Sequence, residues 1–160
     1  MSPYDRLQLL GFKLPSLAPT HEFLRVNRID DLAFVSGHAP FEDGTFRYCG
    51  RVGREFDVPT GQRAAELAVL GCLVSLESSI GSLDCVRQIV KLNGYINCVG
   101  EFHDLPLITD AASKLLIDLF GESGRCARTT VGVASLPKGV AVEIDLIVRI
   151  HAQDKVIDEA

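Results

Sequence analysis

Residues 127–145 of this chain read ARTTVGVASLPKGVAVEID. Two runs rich in β-branched residues flank the segment 136–139 (LPKG), whose proline and glycine are typical of a turn. The pattern therefore predicts two antiparallel strands that pair as a hairpin. Alternation places Glu143 and Asp145 on one face of the second strand and its valine, leucine and isoleucine residues on the other. Arg128 lies in the first strand, so this apolar segment contains one cation and two carboxylates.

The composition describes a single globular domain. Of the 160 residues, 47% are hydrophobic and 23% are charged, which is enough apolar material for a core. The net charge of −5 disfavours nucleic acid as a partner, and the loosely clustered Arg47, Arg51 and Arg54 are expected in a solvated loop. Neither the cysteines nor the histidines have metal-ligand spacing, so we expect no metal. Unpaired cysteines and the lack of an apolar leader or membrane-length run predict a cytoplasmic protein without a membrane partner.

The remaining patterns predict a first hairpin, two helices and a central strand. The predicted elements are, in chain order, strands at 24–27 and 32–36, a helix from Thr60 as N-cap to about residue 79, a strand at 86–97 with a bulge or bend at Gly94, and a helix from Asp104 to Gly121. This order predicts an α+β fold, an antiparallel-rich mixed sheet with both helices packed on one face. The uncovered face would expose apolar residues such as Val131, and such a face needs a partner.

We expect one domain over residues 1–160, with an extended or loosely turned lead-in (1–20), a core (21–151) and a polar tail (152–160). Four of its segments resemble the Rid (YjgF-type) proteins, a family of reactive-intermediate imine and enamine deaminases. The motif at 127–145 is similar to the family's C-terminal signature, and LAFVSGH (32–38) and VKLNGYI (90–96) resemble its early and central strands. Residues 102–121 resemble its second helix. The resemblance covers residues 15–151. It implies a chorismate-mutase-like protomer in a homotrimeric barrel, with pockets between subunits and no cofactor.

The resemblance also implies roles for individual residues. Arg128 matches the arginine that binds the substrate carboxylate, and Glu143 matches the glutamate that holds or polarises the attacking water. Gly37, after Ser36, matches a Ser-Gly pair whose backbone lines the pocket. From periodicity alone, Arg128 would instead pair with a local acid or reach solvent, and Glu143 would be an exposed strand carboxylate with Asp145 as its competitor. The length of the matching motif favours the functional roles.

Three further positions depart from the family pattern and indicate a diverged subgroup. Thr130 lies where many members have cysteine, which argues against covalent catalysis there. Phe23 lies near a pocket tyrosine of the family and Ser113 near an asparagine, so we assign all three to the substrate-binding set. His38 follows Ser36-Gly37, where glutamine is frequent. It is either an acid–base group or a polar strand-end residue, and we favour the second interpretation.

The spacing within the predicted hairpin bears on how the site is assembled. If Leu136 pairs with Gly139, Arg128 lies opposite Ile147 and Glu143 opposite Gly132. The arginine and the glutamate are then separated by about 13 Å along the strands. Both cannot touch one small imino acid in the same chain. Either a bulge intervenes or adjacent subunits supply the two side chains, and we expect adjacent subunits.

The resemblance implies hydrolysis of a 2-imino or enamine acid, of the 2-iminobutanoate or 2-iminopropanoate type, to a 2-keto acid and ammonia. Arg128 would hold the carboxylate and Glu143 the water. Two alternatives remain. One is a non-catalytic sensor or carrier of small carboxylates such as keto acids. The other is a pathway-specific hydrolase acting on an aminoacrylate- or carbamate-like intermediate. Ribonuclease activity, attached to parts of the family, is least favoured because the chain is acidic.

Overall fold

A computed structural model describes residues 1–20 and 22–151, so the predicted polar tail lies outside the described residues. The elements of this part are, in chain order, α1 (Pro3–Leu9), β1 (Val26–Ile29), β2 (Leu32–His38), β3 (Phe41–Glu42), β4 (Thr45–Phe46), α2 (Val58–Ile80), β5 (Val86–Asn97), α3 (Leu105–Phe120), β6 (Ala127–Val133) and β7 (Val142–Ile150). Short 3-10 turns occupy Leu83–Cys85, Gly121–Gly124 and Pro137–Gly139.

The main sheet has the strand order β1-β2-β7-β5-β6, and β3 pairs with β4 in a separate ribbon. Adjacent strands of the main sheet run antiparallel, except for β5 and β6, which are parallel to each other. The predicted mixed α+β class is therefore confirmed. The apolar alternation of β7 is also confirmed, because α2 packs against that strand and buries Val142, Ile144, Leu146, Val148 and Ile150. This burial supplies much of the hydrophobic stabilisation of the sheet.

The predicted C-terminal hairpin is wrong. β6 and β7 do not pair with each other, because β5 lies between them, parallel to β6 and antiparallel to β7. The turn itself exists, with Lys138 at a φ of 59° inside the Pro137–Gly139 turn. The physical reason is the crossover through α3, which returns the chain as a parallel neighbour of β5. The connection after β6 must then pass the end of β5 to reach its other side.

The insertion of β5 changes the face on which Arg128 lies. Arg128 is directly opposite Leu92 of β5, and Leu92 is opposite Leu146 of β7. Both leucines are buried in the core, so Arg128 points to the helix-covered side. Glu143 is three positions from Leu146 in the same strand and therefore points to the uncovered side. The predicted pairing of Arg128 with Ile147 is wrong, and the two candidate side chains lie on opposite faces of the sheet.

The structure corrects two local predictions, one about the N-cap of α2 and one about the register of β5. The N-cap of α2 is Asp57 rather than Thr60, because the Asp57 carboxylate accepts a hydrogen bond from the Thr60 N–H at 2.9 Å. The register of β5 shifts near its start, at Val86–Lys91, and is regular at Gly94, so of the bulge or bend predicted there the bulge is wrong. Gly94 instead permits close approach of α3, since a Cβ there would lie 2.4 Å from Thr109 Cγ2.

The lead-in is not simply extended, because it contains helix α1. Ser2 and Asp5 form a reciprocal capping box at its start, and Leu7 is buried against the domain. The Tyr4 hydroxyl donates to Glu77 of α2 at 2.6 Å and accepts from the Leu83 N–H at 2.9 Å. These contacts hold the first turns of the chain against the end of α2.

Candidate active site

A cavity of about 380 Å³ lies beside the end of β2, where the register between β2 and β7 shifts. Its wall combines residues 16–20 with the end of β2 and with Glu143 of β7. Of the predicted site residues, Phe23, Gly37 and Glu143 line it. Ser36 does not; its hydroxyl donates to the Leu24 carbonyl at 2.7 Å and so supports the β1–β2 hairpin.

Glu143 and Gly37 are in close contact. A Cβ on Gly37 would lie 2.1 Å from Glu143 Oε1, so the carboxylate occupies the space that any other residue at position 37 would fill. Glu143 is half-buried, and its oxygens accept no hydrogen bond from the residues that the structure describes. Burial raises the pKa of Glu143, and the nearby charge of Asp145 raises it further. The carboxylate is therefore a stronger base than an exposed glutamate and is available to a bound water.

Asp145, the competitor of Glu143 on the same face, is already engaged. Asn93 Nδ2 donates to one of its oxygens at 2.8 Å, and the Tyr95 hydroxyl donates to the other at 2.9 Å. Burial, together with the hydrogen bond to Asp145, raises the pKa of Tyr95, so the phenol remains a donor at neutral pH. Asp145 thus serves as an acceptor between strands, and its charge acts on Glu143 through space.

His38 lines the same cavity, but both of its ring nitrogens are in use. Nδ1 lies 2.6 Å from the Ser36 carbonyl oxygen and Nε2 lies 2.6 Å from Ser75 Oγ. Because a carbonyl can only accept, Nδ1 carries the proton and Nε2 accepts from the Ser75 hydroxyl. Burial lowers the pKa of His38, which keeps the ring neutral. This geometry agrees with the strand-end interpretation rather than with a free acid–base group.

A second group of predicted residues lies at the edge strand β6, against α3. Arg128 Nη1 donates to Asp110 Oδ1 at 2.7 Å and to Ser113 Oγ at 3.1 Å. Asp110 and Ser113 are one turn apart on α3 and so face β6 together. The Arg128 side chain is 25% exposed, and its Nε and Nη2 have no hydrogen-bond partner within the described ranges. Half of the guanidinium fork is therefore available to an outside carboxylate.

Thr130 belongs to this second group but has a partner of its own. Its hydroxyl lies 2.7 Å from Thr109 Oγ1, and Thr109 is fully buried in α3. Asp110, which the sequence analysis missed, could have been found from its position three residues before Ser113 on one helix face.

The predicted site residues thus form two groups in one copy of the chain. Phe23, Gly37 and Glu143 meet at the cavity, whereas Arg128, Ser113 and Thr130 meet beside α3. The two groups lie on opposite faces of the sheet.

Replacing Glu143 by glutamine should stabilise the fold at neutral pH. The raised pKa means that the folded chain binds the proton more tightly than the unfolded chain, so ionisation destabilises the fold as pH rises. Removing that charge should raise Tm at pH 7 by roughly 2–4 °C, and the gain should vanish below about pH 4, where the wild-type carboxyl is protonated. Thermal unfolding across pH measures this, with exposed Glu101→Gln as the control. A gain that is equal at every pH would contradict it.

Residues 1–20 and 22–151 contain neither a metal-binding cluster nor a membrane-spanning helix. No cluster of three or more His, Cys, Asp or Glu side chains is arranged to hold a metal ion there. No helix in the same part of the chain has the length and apolar character needed to cross a bilayer.

The fold and the motif define a family. The chain belongs to the YjgF/chorismate mutase-like family, whose description adds "putative endoribonuclease" and whose model matches residues 5–148. Protein TCP17 of Trypanosoma cruzi is 37% identical over 147 residues, which are 91% of this chain and 92% of that protein. The structure of Atu1372 from Agrobacterium tumefaciens, described as having unknown function, has a TM-score of 0.88 and 40% identity and covers 94% of each chain.

One relative has a named activity. The 2-iminobutanoate/2-iminopropanoate deaminase of the mite Dermatophagoides farinae is 41% identical over 66 residues. That match covers 41% of this chain and 45% of the mite protein, so it reaches less than half of either.

Proposed function

We propose that this protein hydrolyses reactive 2-imino or enamine acids to 2-keto acids and ammonia, at a site completed by a second copy of the chain in the cytoplasm. The observation that carries the proposal is Glu143, a half-buried carboxylate on a cavity wall with no hydrogen-bond donor in the described part of the chain. Membership of the family and the partial match to a deaminase support the same chemistry.

The second copy supplies the missing cation. In one copy the available half of the Arg128 fork and the Glu143 carboxylate lie on opposite faces of the sheet. The uncovered face exposes Phe34 at 38% and Val131 at 41%, the kind of apolar surface that another sheet would bury. We propose a homotrimer in which Arg128 of one subunit approaches the Glu143 cavity of the next.

The reaction needs one water and no redox step. The Arg128 guanidinium binds the substrate carboxylate and so orients the C=N carbon towards Glu143. Glu143 takes a proton from water as the new O–C bond forms, and it returns that proton to the nitrogen. The C–N bond then breaks, and ammonia leaves with its electron pair. The remaining hydroxyl proton passes to that ammonia as the 2-keto acid forms. The overall change is iminium acid plus water to keto acid plus ammonium.

The three departures from the family pattern fit this water chemistry. The Thr130 hydroxyl contacts Thr109 and is not a nucleophile. Ser113 accepts from Arg128 and so helps to orient the guanidinium. Phe23 adds an apolar contact to the cavity wall and cannot position a water, which leaves that role to Glu143.

The test is a direct rate measurement. An amino acid oxidase generates 2-iminobutanoate in situ, and its conversion to 2-oxobutanoate is followed with and without the purified protein. We expect the protein to accelerate imine loss in proportion to its concentration. Tight binding of 2-oxobutanoate without any acceleration would contradict the proposal and favour a carrier or sensor.

Replacing Gly37 by alanine should displace the Glu143 carboxylate. The added methyl group would overlap Oε1, the flexible end of the side chain, so the carboxylate moves while the fold tolerates the change. We expect kcat to fall by about ten- to a hundredfold with little change in Tm, because small displacements of reacting groups have effects of that order. Gly100→Ala, where nothing lies within 4 Å of the new methyl, is the control. Native kcat in the Gly37 variant would show that this contact does not position the base.

A further inference from the structure

The proposed mechanism leaves one cation of the cavity without a role. Arg25 immediately precedes β1, is half-buried, and lines the same cavity as Gly37 and Glu143. Its backbone is fixed, because the Arg25 carbonyl accepts from the Ser36 N–H at 2.8 Å. Its guanidinium Nη2 donates to the Ala18 carbonyl oxygen, which belongs to the segment that covers the cavity. The side chain therefore stands at a defined place in the wall.

Within the described residues, Arg25 lacks the ion pair that several arginines of this chain form. Five arginines have a carboxylate within ion-pair distance, namely Arg47, Arg54, Arg125, Arg128 and Arg149. Arg25 has none among the residues that the structure describes. A guanidinium has five N–H donors, and a single carbonyl leaves most of them unused. A half-buried guanidinium with unused N–H donors favours the binding of an anion from outside the chain.

The rest of the wall is largely apolar, and no charged side chain in its described part forms an ion pair with Arg25. Phe23, Phe41 and Phe46 provide an apolar surface, and the rings of the last two pack edge to face at 5.1 Å. Glu143 is the carboxylate on the described wall and lies beyond ion-pair distance from Arg25. His38 is neutral, because burial and the charge of Arg25 both lower its pKa. Arg25 is thus the charged donor that faces this apolar space.

We infer that Arg25 is a second anion-binding group and that the preferred substrate is a 2-imino acid with a second carboxylate at the end of its side chain. The inference rests on the proposed function, in which Arg128 of another copy holds the carboxylate next to the imine. The distal carboxylate would accept two hydrogen bonds from the planar guanidinium fork. The phenylalanine rings would contact the methylene groups between the two ends. A volume of about 380 Å³ is ordinary for a small-molecule site.

Binding of two matched keto acids tests this inference without requiring turnover. Calorimetry compares 2-oxopentanedioate with 2-oxopentanoate, which have the same carbon chain and differ in the distal carboxylate. The full-length protein should bind the diacid about ten- to a hundredfold more tightly, the range for charge-assisted hydrogen bonds in a desolvated site. Arg25→Met, which keeps the apolar stem, should reduce the ratio of the two affinities to about one.

Arg28→Met is the matched control. Arg28 lies in β1, three residues after Arg25. It is exposed and is not part of the cavity wall, and its Nη1 lies 3.4 Å from the Ser79 carbonyl oxygen. It should keep the diacid preference of the wild type. Arg25→Gln, checked by its Tm, replaces Arg25→Met if the latter does not fold. Equal binding of the two acids by the wild type, or equal loss of the preference in the Arg25 and Arg28 variants, would overturn the inference.

The outcomes also separate this inference from the proposed function. If the diacid preference depends on Arg25 but no imine is hydrolysed, the anion site stands and the hydrolase proposal fails. If monocarboxylate imines are hydrolysed and the diacid has no advantage, the hydrolase proposal stands and the inference fails.

Discussion

Replacing Arg128 by alanine is expected to lower kcat/KM for 2-iminobutanoate by about a hundredfold or more. The substitution removes a charge-assisted, bidentate contact with the substrate carboxylate, and each such hydrogen bond contributes about 1.5–3 kcal/mol. Arg128→Lys keeps the charge but loses the planar fork, so its activity should lie between the two. Steady-state rates of the purified variants measure the effect.

The control for this prediction is Arg125→Ala. Arg125 is exposed, lies three residues earlier in the chain, and pairs with Glu122 at 3.2 Å. Its loss should leave the rate nearly unchanged. The Arg128–Asp110 pair is partly solvated, so its removal should change stability by less than about 1 kcal/mol and the Tm of Arg128→Ala should stay close to that of the wild type. A folded Arg128→Ala protein with wild-type kcat/KM would refute the carboxylate-binding role.

Mixing two inactive variants is expected to restore activity. Arg128→Ala lacks the cation and Glu143→Gln lacks the base, so each alone should be at least about a hundredfold slower. If every site takes Arg128 from one subunit and Glu143 from another, random mixed assemblies contain sites in which both native residues meet. In an equimolar mixture that fraction is about a quarter of the sites. Activity after co-refolding or co-expression of the two variants measures it.

The matched control combines both substitutions in one chain. Mixing that double variant with Arg128→Ala leaves every site without its arginine, so no activity should return. Native mass spectrometry verifies that subunits of both kinds are present in the same particle. Mixed particles that remain as inactive as the separate variants would show that Arg128 and Glu143 do not complete each other across subunits.

The sequence predicted those features that depend on local periodicity. The apolar alternation of β7, the twelve-residue strand β5 and the glycine that ends α3 all follow from side-chain spacing and turn chemistry. The motif at 127–145 also contains the two residues on which the proposed chemistry depends. These features concern neighbours in the chain, and a single sequence is informative about them.

The predictions that were wrong or missed concern contacts between residues that are distant in the sequence. The segment 136–139 indicates a turn, but it does not reveal that β5 separates the strands on either side of it. For that reason the face of Arg128 and its contact with Asp110 could not be predicted from hairpin spacing. Arg25 was missed because no repeat or motif marks it. Its significance comes from the cavity wall and from the absence of an ion pair within the described residues.

The segment 16–20 forms part of the cavity wall yet belongs to no helix or strand. Substitutions in such a segment leave the hydrogen-bond ladder of the sheet and the buried faces of α2 and α3 intact. Part of the cavity wall therefore lies outside the stretches of sequence that keep the chain folded. During evolution, a few substitutions within this segment would change which metabolite the cavity binds. The sheet and the helices would keep their structure.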